Sequence, residues 1–117
     1  MLLAAGLTET LRHHPEYCYE HHSVNLPCTL VMIGHHLRAG QQYRTILRKI
    51  SYNGAVLDVS EDMKIEDNFF LEIDGIRDEI GCTKVGHNWH ALSIQFNMLL
   101  NEQFLDHVLH LAIMMRD

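Results

Sequence analysis

From Val24 to Phe96, apolar and polar positions alternate in short runs that break at Gly, Asn, Asp or Ser, as half-buried strands joined by turns do. Six runs qualify as strands: residues 24–33, 42–50, 55–59, 69–73, 76–85 and 89–96. Pro27 places the first at an edge or early-strand position, where a missing N–H costs least. Residues 34–40 form a loop bounded by two glycines, and residues 60–68 an acidic one. Asp74-Gly75 signals a hairpin, Gly81 a bulge, and residues 86–88 a second turn. In the last run His90, Leu92, Ile94 and Phe96 make the more apolar row.

The period then changes. Phe104, Leu105, Val108, Leu109, Leu111, Ala112 and Met115 recur at helical spacing. Asn101 is the predicted N-cap, with Glu102 in the first turn and Arg116 near the end, as the helix dipole prefers. Near the start, Leu3, Leu7 and Leu11 give residues 2–12 one apolar stripe, which His13-His14-Pro15 ends. The prediction is one all-β domain over residues 1–117: an N-terminal helix and arm (1–22), a six-stranded antiparallel barrel (23–97) and a C-terminal amphipathic helix (98–117).

Composition acts mainly by exclusion. A hydrophobic fraction of 47% with 21% charged residues rules against disorder. The net charge of −6 and the lack of any Lys/Arg block exclude duplex nucleic acid and anionic membranes as partners. No apolar run approaches membrane-spanning length, and the opening apolar residues lack a basic lead, so no membrane insertion and a cytoplasmic location are expected. Three cysteines without a CxxC read as reduced thiols, with Cys28 and Cys82 in the core. Cys18 lies near His14, His21 and His22, with nothing to order them into a nucleophile and base, so no enzyme is expected. The ten histidines include no HExxH, and only His107 and His110, three apart on a helix, are spaced to share an ion. Surface or partly buried histidines are the expectation, with no metal. The acidic segment 61–67 lacks the DxDxDG pattern of calcium loops and reads as solvated.

Attention then falls on Lys49-Ile50-Ser51-Tyr52-Asn53-Gly54-Ala55-Val56-Leu57, a tight turn between two strands. Ser51 offers a hydroxyl, Asn53 tolerates a left-handed backbone, and Gly54 admits close approach. Ser51-Tyr52-Asn53-Gly54 followed by an apolar strand, the run Gly81 to Val85, the run Leu92 to Phe96, and a helix opened by Asn101-Glu102-Gln103-Phe104 together resemble a PilZ domain. That resemblance covers the chain from Arg48 to its end. It implies a six-stranded barrel with a C-terminal helix, a bacterial signalling or adaptor role, and cyclic di-GMP as the candidate ligand.

Two family hallmarks are altered. The acidic or amide position two residues before Ser51 is Lys49. The arginine pair of the N-terminal lead-in is replaced by Tyr17 and His21, or by Cys18 and His22 in the neighbouring register. Arg44 and Arg48 do spell RxxxR, but within a strand rather than an arm, so that match is a decoy. Guanidinium groups matter because their planar fork pairs bidentately with phosphate and with guanine. Losing two charge-assisted bonds of about 1.5–3 kcal/mol each weakens binding roughly a hundredfold or far more. On the resemblance, the ligand corner comprises Arg48, Lys49, Ser51, Asn53, Gly54 and His21, and cyclic di-GMP binding is expected to be weak or lost. The alternative is a protein-interaction module without nucleotide, meeting a partner or a second copy through its terminal helices, where Ile113 and Met114 are surplus apolar positions.

Overall fold

The computed structural model describes residues 19–33 and 41–115. In chain order it contains β1 (His22–Met32), β2 (Gln42–Ile50), β3 (Gly54–Asp58), β4 (Asn68–Ile73), β5 (Glu79–His87), β6 (Ala91–Phe96) and α1 (Glu102–Met114). All neighbouring strands are antiparallel. The order β1-β2-β3-β6-β5-β4 closes into a barrel where β4 pairs back to β1. The chain thus forms the six-stranded antiparallel barrel and C-terminal helix that its patterning predicts. The helix expected over residues 2–12, the loop over 34–40, Cys18 and Arg116 lie outside the described residues.

Alternation fills the barrel. Along β1, Val24, Leu26, Cys28, Leu30 and Met32 are all buried, and they meet Leu47, Ile50, Leu57, Leu71, Leu92 and Ile94 from the other strands. Each such aliphatic side chain contributes about 1.5–3 kcal/mol on full burial. Helix α1 packs against β1. Its N-cap is as expected: Phe104 N donates to Asn101 Oδ1 at 2.7 Å. Leu105 and Val108 are its buried face.

Several boundaries differ from expectation, each for a local reason. β5 begins at Glu79 rather than Ile76 because a turn intervenes: Ile76 N donates to Ile73 O at 2.9 Å, with Gly75 at φ 93°. That turn leans on α1, where a side chain at Gly75 would meet Leu111. β5 runs on to His87 and β6 starts at Ala91, not Trp89. Asn88 closes this turn, its Oδ1 accepting from Ala91 N at 3.1 Å and its N donating to Ala91 O at 3.0 Å. Gly81 is not a bulge; it pairs with Phe70 in unbroken register. A Cβ there would sit 2.8 Å from Asn97 Nδ2, so the glycine admits the chain that leaves β6. The irregularity of β5 falls between Lys84 and Gly86 instead.

A second irregularity shapes the candidate site. β1 and β2 pair Ser23 with Lys49 and then Leu26 with Leu47, so Val24 and Asn25 together oppose Arg48. β2 and β3 also slip across Arg48, between the Leu47–Leu57 and Lys49–Val56 pairs. The extra residue leaves Arg48 and Lys49 both exposed while Leu47 and Ile50 stay inside. Asn25 takes φ 52°, the left-handed region that Asn tolerates better than most residues.

Candidate functional site at the 51–54 turn

The turn between β2 and β3 is closed by its own backbone: Ser51 N donates to Gly54 O at 2.9 Å. The Ser51 hydroxyl is fully buried. It donates to Asn53 Oδ1 at 2.7 Å and accepts from Asn53 N at 3.3 Å. Its bonding capacity is therefore spent inside the turn, in the way polar residues mimic a further backbone turn. Neither Asn53 nor Gly54 has a positive φ; among the described non-glycine residues that conformation belongs to Asn25. Gly54 is required by packing instead, because a Cβ would collide with the carbonyl oxygen of Ile94 on β6.

The turn is also tied to the far end of the chain. Asn53 O accepts from Phe96 N at 2.8 Å, and Tyr52 O from Leu100 N at 2.9 Å. Above it, the Tyr19 ring meets the Tyr52 ring edge-on, with centroids 5.4 Å apart. Tyr19, just ahead of β1, therefore lies on the turn. His22 pairs with Ile50, so His21 sits one position beyond, alongside the turn, and is exposed.

The cations are arranged unequally. Arg48 Nε donates to Asp58 Oδ2 at 2.8 Å and its Nη1 to Asn25 Oδ1 at 2.9 Å, so this guanidinium laces β1, β2 and β3 together. Arg44 makes a bidentate pair with Asp74, 2.7 and 2.8 Å, and donates to Thr29 Oγ1 at 2.8 Å. Both members of the strand RxxxR serve ion pairs, Arg48 across to β3 and Arg44 to the turn after β4. The Asp74 carboxyl is held below the usual range by that hydrogen bond from Arg44. Lys49 is exposed at the bulge. The structure thus gathers His21, Lys49, Ser51, Asn53 and Gly54 at one corner, with Arg48 directed away along the strands.

Three features here have little sequence signal. The Tyr19–Tyr52 stack joins residues far apart in the chain. The left-handed Asn25 has only the weak cue of an Asn two residues before Pro27. The tether of Leu100 to Tyr52 uses backbone atoms, which any sequence carries.

No protein-family model matches the chain, and no curated protein matches it. Among solved structures it is similar to the Bacillus subtilis inhibitor of motility (MotI/DgrA), with a TM-score of 0.56 at 12% identity, over 83% of this chain and 49% of that one. The chain therefore spans about half the length of that protein. At such identity the likeness is one of fold.

Proposed function

We propose that this chain is a PilZ-type adaptor domain, regulatory rather than enzymatic, whose ligand corner has passed into structural use and binds cyclic di-GMP weakly or not at all. The observation that carries this reading is the state of Ser51: buried, with its hydroxyl committed to Asn53. The commitment of Arg48 to Asp58 and Asn25 supports it, as does the absence of arginine at positions 17, 18, 21 and 22. The barrel architecture and its likeness to MotI/DgrA, a PilZ-domain protein described as an inhibitor, support the adaptor class. The reading carries a bacterial, cytoplasmic setting with it. Titration calorimetry with cyclic di-GMP tests it: no submicromolar affinity is expected. A submicromolar Kd that Lys49→Glu abolishes overturns it.

A second reading concerns the partner face. Ile113, Met114 and Met115 at the end of α1 are 65%, 66% and 54% exposed. Three large apolar side chains together in solvent favour a protein contact, with a partner or a second copy, over a bare helix end. Size-exclusion chromatography of the chain and of Met114→Asp checks whether that contact joins two copies.

A further inference from the structure

On the wall of the barrel a cleft of about 340 Å³ opens between the start of β5 and the connection from β6 to α1. Ile80, Leu99, Leu100 and Phe104 give it an apolar lining, and Asp78 and Glu79 are its charged residues. Met98 and Leu99 stand at its mouth 80% and 60% exposed.

The cleft is preformed. Asn97 N donates to Gly81 O at 2.9 Å, which fixes one wall to the other. Leu100 N is bound to Tyr52 O, and Asn101 caps α1, so the connection is held at both ends. Two large apolar side chains, Met98 and Leu99, are thus held exposed among the described residues on a fixed connection, the kind of surface that marks a contact site.

Both charged residues that line it are acidic, and Arg77 stands next to Asp78 in the chain. Glu72 and Glu79 are direct cross-strand partners. Like charges in that position are destabilising. The Glu79 carboxyl beside it favours the protonated form of Glu72 and raises that carboxyl above its usual range. Asp78 adds a third carboxylate at the rim. Three carboxylates against one arginine leave the balance negative, which favours an ammonium or guanidinium over an anionic ligand.

We propose that this cleft docks a segment of a partner protein in which a large aliphatic side chain is flanked by lysine or arginine. The aliphatic group fills the pocket between Leu99 and Phe104, covering Met98 and Leu99. The cation settles on Asp78 and Glu79 and relieves the repulsion between Glu79 and Glu72. This rests on the adaptor reading above but not on its statement about cyclic di-GMP, and it uses a surface separate from the end of α1.

The test is a selection of displayed random peptides on the 117-residue chain. The winning peptide is then synthesised with a fluorescent label, and its anisotropy is followed on the wild type and on Leu99→Asp, Glu79→Gln and Met114→Asp. Selected sequences are expected to pair a leucine, isoleucine or methionine with lysine or arginine within one helical turn. Leu99→Asp should weaken binding about tenfold or more, as loss of a buried anchor does. Glu79→Gln, which removes a like-charge contact and leaves the fold intact, should weaken it several-fold and flatten its salt dependence. Met114→Asp should change nothing. Selections that converge on no motif or on acidic peptides overturn the proposal, as does binding indifferent to Leu99 and Glu79. Binding lost in Met114→Asp alone overturns it too and assigns the contact to the helix end. A dimer of the unliganded chain that Leu99→Asp dissociates makes a second copy the occupant, against this proposal.

Discussion

A methyl group at position 54 would run into the carbonyl oxygen of Ile94, a backbone atom held in the β3–β6 ladder. Nothing there can step aside cheaply. Gly54→Ala is therefore expected to cost about 1–3 kcal/mol or more, as overpacking a fixed site does, read from chemical denaturation. The glycine of this turn is a demand of the neighbouring strand, whatever ligand the corner takes. Arg44 and Asp74 give a second prediction at this scale. Asp74 ionises below its ordinary 3.8 because Arg44 hydrogen-bonds its charged form. A depressed folded pKa contributes stability above the unfolded value and loses it as pH falls through the folded one. A double-mutant cycle on Arg44→Ala and Asp74→Ala should thus show favourable coupling at neutral pH that vanishes in acid well below 3.8. Coupling that persists there would refute the ion pair as its source.

At the scale of elements, α1 begins where an Asn precedes an apolar periodicity, and Asn101→Ala should cost about 1 kcal/mol by stranding the Phe104 N–H. Thermal unfolding of that variant measures it. The helix was legible because its cap and its period agree. The strands were legible because a period of two persists even where ends blur. What escaped the sequence were the places where a residue's role depends on a distant neighbour. Gly81 looks like a bulge until Asn97 is seen beside it, and Ile76 looks like strand until the turn at Gly75 is found resting on Leu111. The candidate corner divides in the same way. Ser51 and Gly54 are recognisable from their spacing, but that the Ser51 hydroxyl is turned inward onto Asn53 depends on a fold around it.

At the scale of the whole molecule, closure makes the interior a sealed apolar volume. Cys28 and Cys82 lie within it, fully buried, and burial pushes each thiol from 9.0 up to about 12. In a Cys18→Ser background the native protein should therefore be silent to a disulfide reagent at mildly alkaline pH and react only on unfolding. The linkage has a definite sign. Thiols of the unfolded chain ionise near 9.0 while the folded ones stay protonated to about 12, so stability should decline as pH rises through that interval. Fast labelling of the folded chain would show that the barrel opens readily. The same closure sets the architecture, whereas the proposed ligand question turns on a few side chains at one corner.

The ring has one further consequence, at the stretch where β1 outruns β4. Ladder pairing with β4 begins at Cys28, and Asp74 N donates to Pro27 O at 3.1 Å, so among the described residues only 22–26 of β1 have a strand, β2, on one side alone. A free margin of that kind invites an incoming strand to extend the sheet. Here the invitation is withdrawn, because Asn25 twists the backbone into the left-handed region and the margin ends at Pro27, which has no amide hydrogen to give and whose carbonyl Asp74 N already takes. A visiting chain finds no ruler of evenly spaced donors there to read, and at that margin meets side chains instead.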